Sequence, residues 1–377
     1  MSTLPLRLTF RHCALAGFLI LVPAALRAQA ADAVAAVAPW AEPVDRAIRA
    51  LLDRDRVPGL SCAIAVGDAV QFERGYGLAD VENEVPVTPR TVFRLASISK
   101  PITAVCALQL HEARRLDLDA DVHNLLAEWP AKSFPVTTRQ LLGHLGGIRH
   151  YRPGEAESTF HYKTQIDALA RFAADPLLHE PGTAYHYSTF GFNLVAAVVE
   201  KACGEPFAKV VHDYVAVPSG AASLQDDDVR RVIRGRAQGY VLVDAVLQNS
   251  ELMDSSYKLG GGGLCASAPD LARFAQALMA GRLLRPETLA SMWTAQPLKG
   301  GGTTDYGLGF RVGLRNGQRV VQHSGAQSRV STMLYLLPDQ QITIVLLCNL
   351  EKVRLLPLAQ QIADLVAPVV KVQEQAK

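Results

Sequence analysis

The chain has 377 residues, 49% of them hydrophobic and 20% charged, a composition that excludes a disordered chain too polar to bury a core. Its 38 Lys and Arg are nearly balanced by 36 Asp and Glu, giving a net charge of +2, and no basic block gathers along one segment. Nothing here suits a phosphate-tracking surface, so nucleic acid is excluded as a partner.

The first thirty residues stand apart. Arg7, Arg11 and His12 precede an apolar run over 13–25, and Ala28-Gln29-Ala30 follows. This is the pattern of an export leader cleaved after Ala30, and the run is short for a spanning helix of roughly 20 residues. The expectation is a periplasmic or secreted protein with no stable membrane insertion after cleavage, an uncleaved anchor being the alternative. Residues 31–377 are then expected to form a single domain, since no internal repeat or long low-complexity linker divides them. Cys13 leaves with the leader, and Cys62, Cys106, Cys203, Cys265 and Cys348 remain as an odd set without CxxC spacing. They read as small buried thiols rather than metal ligands. The ten His show no HExxH or comparable spacing; the loose group His144, His150 and His161 reads as structural, and neither metal nor cofactor is expected.

A lead helix is predicted near 44–52. The nearly continuous apolar run 60–66 predicts a buried strand, broken by Gly67-Asp68 before the alternating Val70-Gln71-Phe72-Glu73 of a half-exposed partner. Residues 101–280 are dominated by helical periodicity and loops, for example over 166–172 and 271–278. Strands return over 319–323, 331–337 and 341–347, the last two joined across Pro338-Asp339-Gln340. A closing helix is expected near 353–365. Strands from both chain ends and helices between them predict an α+β fold: one antiparallel sheet flanked by helices, with an inserted, mainly helical lobe. The sheet lobe takes about 42–95 and 285–366, the helical lobe about 96–284, and the active site is expected in the cleft between them.

Chemistry concentrates in Phe93-Arg94-Leu95-Ala96-Ser97-Ile98-Ser99-Lys100-Pro101, which leads into the almost wholly apolar stretch 102–110. Such a stretch predicts a buried helix, and Pro101 is tolerated only in its first turn, so Ser97 sits at or beside the N-terminus. Positions three apart share a helix face, so Lys100 can reach the Ser97 hydroxyl. A buried lysine at the positive end of a helix loses its proton more readily and becomes a base for the serine. The SxxK spacing occurs twice: Ser255-Ser256-Tyr257-Lys258 runs into four glycines, 260–263, which disfavour a helix, and this copy is read as a loop. Tyr187 lies on the approach to a helix over about 190–202, where a phenol near a lysine can shuttle protons. His323-Ser324-Gly325-Ala326 ends a predicted strand; Gly325 would let a substrate backbone lie against the strand, and the Ala326 amide could complete an oxyanion hole with that of Ser97.

SxxK at Ser97, Tyr-Ser-x at Tyr187 and His-Ser-Gly at His323, in this order, resemble the serine β-lactamase and penicillin-binding-protein superfamily, in its class C-like branch. Gly77-Leu78-Ala79-Asp80, Leu141-Leu142-Gly143-His144, Pro181-Gly182-Thr183, Gly261-Gly262-Gly263-Leu264 and Tyr306-Gly307-Leu308-Gly309-Phe310 agree. Within the branch, Gly147-Ile148-Arg149-His150-Tyr151 and Tyr187-Ser188-Thr189-Phe190-Gly191 are similar to the mitochondrial, peptidase-type group of animals. The resemblance implies acylation of Ser97, proton transfer shared by Lys100 and Tyr187, and substrate or oxyanion contacts from Thr189, His323, Ser324, Gly325 and Ala326. It also implies that Thr189 stands where many members have asparagine, and His323 where they have a permanently charged lysine. A histidine titrating near neutral pH would weaken recognition of a substrate carboxylate. The functional expectation is a serine hydrolase acting on an ester or amide of a small molecule or peptide. D,D-carboxypeptidase, D-aminopeptidase or true β-lactamase activity is the enzymatic alternative, and a non-catalytic scaffold or filament-forming relative the alternative of another class. The sequence leaves the oligomeric state open.

Overall fold

The computed structural model describes residues 38–375, side-chain burial being defined through residue 370; the leader expected over 1–30 lies outside the described residues. Helix α1 (Ala41–Asp55) buries Val44, Ala47, Ile48 and Leu51 at helical spacing. Strand β1 (Gly59–Val66) is buried along its length, and β2 (Ala69–Asp80) returns with alternating exposure across Gly67, whose φ of +57° few other residues adopt readily. A short β3 (Val85–Pro86) flanks it. Helix α2 (Ser99–Glu112) is buried on nearly every side, as its apolar sequence demands. Helix α3 (Thr189–Cys203) is capped by Ser188, whose hydroxyl accepts from the Gly191 amide, and ends at Gly204 with φ of 68°. Helix α4 (Ala268–Met279) follows. Then come β4 (Arg311–Arg315), β5 (Gln318–Gln327), β6 (Val330–Leu337), β7 (Ile342–Cys348) and a closing α5 (Leu356–Gln375).

The seven strands form one antiparallel sheet in the order β3-β2-β1-β7-β6-β5-β4. Its centre is the pairing of β1 with β7, from Leu60 opposite Cys348 to Val66 opposite Ile342, so the two chain ends meet in the middle. Strands buried at every position need cover on both faces. Helix α4 packs on β1 and β7, while α5 packs on β6 and β7 and carries α1 with it. Residues Pro39–Lys377 make one compact unit.

Four local features differ from the sequence reading. A hairpin, Tyr240–Val243 with Val246–Asn249, lies inside the region read as helices and loops. Its turn holds Asp244 and Ala245 at φ of 50° and 62°, a conformation usually announced by Asn-Gly. The helix expected over 166–172 is one α-turn, Gln165–Ala168, followed by the 3₁₀ turn Leu169–Arg171. Strand β5 runs through Gln327, so the His323 triplet lies within the strand and not at its end. The second SxxK copy is no loop: Ser256–Lys258 is a 3₁₀ turn and Leu259–Gly262 a helical turn.

Candidate active site

Ser97 sits in a 3₁₀ turn, Ala96–Ile98, that feeds directly into α2. The preceding Ala96 has φ of 49°, a strained value for a residue with a Cβ. Contacts on both sides hold the turn in place. The Leu95 amide donates to the Leu264 carbonyl (2.8 Å), and the Leu95 carbonyl accepts from the Thr332 hydroxyl on β6 (2.9 Å). A Cβ on Gly325 would lie 2.4 Å from the Leu95 carbonyl oxygen and 2.1 Å from Thr332 Oγ1. Gly325 is therefore small because the Ser97 turn packs against β5 at this point, a reason the sequence did not reveal.

Lys100 is wholly buried, and its Nζ lies 3.0 Å from Ser97 Oγ, 3.3 Å from Thr189 Oγ1 and 2.6 Å from the Gly261 carbonyl oxygen. Burial first, and the charge of Lys258 second, hold its pKa well below the usual lysine value. The amine also faces the Tyr187 ring at 4.9 Å from the centroid. Burial raises the Tyr187 pKa, with a hydrogen bond from the Ser97 hydroxyl acting the other way, so this phenol keeps its proton at physiological pH.

The glycine run explains where the Gly261 carbonyl comes from. A Cβ at Gly260 would lie 2.6 Å from Ala196 Cβ, and one at Gly261 2.5 Å from Thr189 Cγ2. Only glycine lets this turn press onto α3 and aim its carbonyl at Lys100; Gly260 likewise gives its carbonyl to Thr103 of α2 (2.8 Å).

His323 is 4% exposed and both ring nitrogens are engaged. Nδ1 is 2.7 Å from its neighbour's carbonyl oxygen, on Ser324, and so must carry the hydrogen; Nε2 then accepts from the Tyr306 hydroxyl at 2.8 Å. Burial, reinforced by Lys100, pushes its pKa down to about 3. The expectation that His323 titrates near neutral pH therefore fails: it is a neutral, fully hydrogen-bonded imidazole.

Ser97, Tyr187, Thr189, His323, Ser324 and Ala326 line one cleft of about 440 Å³. Lys100, buried behind Ser97, and Gly325, a residue of β5 covered by the Ser97 turn, do not line it. Several residues not singled out for this site also belong to it. The His144 ring lies tilted against that of Tyr187, centroids 4.3 Å apart, and accepts from the Ser188 amide through Nδ1 (3.1 Å), and His150 accepts from the Thr189 amide (3.2 Å). Burial holds His144 well below the usual histidine pKa and pushes His150 down to about 4. His161 pairs instead with Asp254 (2.9 Å). The Leu-Gly-His and Tyr-Gly-Leu-Gly motifs were the available signals for His144 and Tyr306, and Lys258 carried none beyond its SxxK spacing.

The model of the Beta-lactamase family matches residues 44–367. The chain belongs to that family. Among its relatives, this Beta-lactamase member is 28% identical to the human serine beta-lactamase-like protein LACTB, mitochondrial, over 82% of the chain and 77% of that protein. It is also 28% identical to penicillin-binding protein 4* of Bacillus subtilis, over 76% of the chain and 67% of that protein. Among solved structures it resembles EstCE1, described as a hydrolase with promiscuous acyltransferase activity, at a TM-score of 0.75 and 25% identity, covering 87% of the chain and 98% of the other. The family match places the chain in the serine hydrolase superfamily, with a penicillin-binding protein and a hydrolase among its relatives.

Proposed function

We propose that the chain cleaves esters or amides through a covalent acyl-enzyme on Ser97, with Lys100 as base and Tyr187 as proton carrier. The observation that carries this reading is the Lys100 amine, wholly buried and 3.0 Å from the Ser97 hydroxyl. Burial without a carboxylate partner favours the neutral amine. Such an amine donates its two hydrogens to the Gly261 carbonyl and the Thr189 hydroxyl, and its lone pair is left for the Ser97 proton.

As that proton passes to Nζ, Oγ bonds to the substrate carbonyl carbon and the carbonyl π pair moves onto oxygen. The amides of Ser97 and Ala326 are the proposed donors to this oxyanion. Collapse re-forms the carbonyl and breaks the bond to the leaving group, which takes the Tyr187 phenolic proton; the Lys100 ammonium then returns a proton to Tyr187. In deacylation water passes a proton to Tyr187 while Tyr187 passes its own to the Lys100 amine, and the water oxygen bonds to the acyl carbon. The intermediate then re-forms the carbonyl and breaks the bond to Ser97 Oγ, which takes the proton back from the Lys100 ammonium.

The neutral His323, with no free nitrogen, offers no cation on β5, so a carboxylate fixed rigidly beside the scissile amide, as in β-lactam antibiotics, finds no partner there. Esters and peptides whose charged groups can reach elsewhere in the cleft are favoured. The acyl-transfer chemistry named for EstCE1 is in keeping with an acyl-enzyme. The test is mass spectrometry after treatment with a fluorophosphonate. One adduct on Ser97, absent from Ser97→Ala, is expected; undiminished labelling of Ser97→Ala would overturn the assignment.

A further inference from the structure

The second lysine of the cleft has no assigned task. Lys258 is 2% exposed, yet it lines the same cavity as Ser97, Tyr187 and Glu157. Its Nζ makes one hydrogen bond, to the Met253 sulfur at 3.1 Å, and a thioether is a weak acceptor. The rings of Tyr257 and Tyr151 face the ammonium at 5.4 and 5.7 Å, and among the described residues it forms no ion pair. Two strong N–H donors are therefore left for whatever enters the cleft.

The surrounding charges do not fill this vacancy. Glu157 favours the ammonium from the same cleft without pairing with it. Asp227 is committed to Arg94 and Arg236 at 2.7 and 3.0 Å. Arg171 lies over the Tyr257 ring and donates to the Glu155 carbonyl, and Lys100 of α2, neutral in the proposed mechanism, brings no anion to Lys258. A single ammonium beside one carboxylate suits a monoanion better than a dianion.

We propose that Lys258 is the anion anchor of the cleft, receiving a carboxylate carried by the acyl donor, for which His323 has no nitrogen free. This rests on the Ser97 reading and narrows its substrates to carboxylate-bearing esters or amides, such as peptides with a free carboxyl group. Burial pushes the Lys258 pKa down to about 7, with Glu157 and Asp227 opposing the shift and Arg171 and Arg94 adding to it. The anchor is thus charged below about pH 7 and discharges above it, so preference for anionic substrates falls as pH rises.

The experiment compares neutral 4-nitrophenyl butyrate with mono-4-nitrophenyl glutarate, anionic on the acyl side, and 4-butyryloxybenzoate, anionic on the leaving side. Each anionic kcat/KM is divided by the neutral one, so effects common to both cancel. For at least one anionic ester, the ratio should fall above pH 7 in the native enzyme. At pH 7 it should drop about tenfold or more in Lys258→Met. Ratios flat with pH, or unchanged in Lys258→Met while absolute rates fall together, would overturn the anchor. Calorimetric binding of the same esters to the inert Ser97→Ala protein separates the two proposals. Anion affinity that weakens from pH 6 to 8 supports the anchor even where Ser97 chemistry fails, and anion affinity equal at both pH values refutes it.

Discussion

Two segments share the spacing Ser-x-x-Lys and bury their lysines at the edge of one cleft, yet only one makes a serine–lysine pair. At Ser97 the backbone stays helical from the 3₁₀ turn into α2, with Ile98 and Ser99 at φ of −64° and −57°. Positions three apart therefore face one way. At Ser255 the path breaks: Lys258 has φ of −132° and ψ of 29°, out of register with the helical turn it precedes. Ser255 Oγ donates to the Asp227 carbonyl oxygen (3.1 Å), and Lys258 turns to Met253 and the cleft. Spacing brings two residue types near each other, and the continuity of the helix decides whether they meet.

The sharpest way to break this contrast is to remove each lysine in turn. Lys100→Met should lower kcat/KM for a neutral ester by about 10³-fold or more, in the range of losing a general base. Lys258→Met should leave that reaction running at alkaline pH. Equal and complete loss in both variants would mean that the two copies are not functionally distinct.

A smaller effect is expected at the glycine that joins the two segments. Gly261→Ala would place a Cβ 2.6 Å from Asn193 Oδ1 and 2.8 Å from the Thr189 carbonyl oxygen, contacts that backbone must yield to. Overpacking of this kind costs roughly 1–3 kcal/mol, read as a lower urea midpoint. Because the Gly261 carbonyl is a Lys100 partner, kcat should fall more than KM changes. A variant with native stability and native kcat would show that the glycine is not needed to aim this carbonyl.

The lysines are also coupled through their charges. The Lys258 ammonium is one cause of the depressed Lys100 pKa, after burial itself. Removing a positive neighbour raises the pKa of the remaining amine, so more alkaline conditions are needed to free it. In Lys258→Met the acidic limb of kcat/KM for a neutral ester should therefore move to higher pH. An unmoved limb would mean that the two amines do not sense each other.

The sheet was legible because its strands are apolar runs closed by Gly-Asp and Pro-Asp turns, and α2 because its residues are apolar all round. Ser97 and Lys100 could be paired from local geometry alone. What escaped depends on residues distant in sequence. The tautomer of His323 is set in part by Tyr306, on the far side of β4. The glycine run reads as a loop by propensity, but the missing side chains let it pack on α3, and that contact outweighs the backbone entropy of glycine. Burial of Lys258 follows from the same packing, which no spacing rule records.

The least effect belongs to the serine of the second copy. Ser255 is fully buried and its hydroxyl serves the Asp227 backbone, whose side chain forms the buried ion pair with Arg94 beneath the Ser97 turn. Ser255→Ala deletes one donor to a buried carbonyl, a loss of about 1 kcal/mol, detectable as a small shift in urea midpoint. Ester turnover and fluorophosphonate labelling should be unchanged, because no base faces this hydroxyl. A tenfold fall in turnover would mean that the Asp227 contact carries strain to Ser97; an adduct found on Ser255 in the native protein would make the second copy a nucleophile after all.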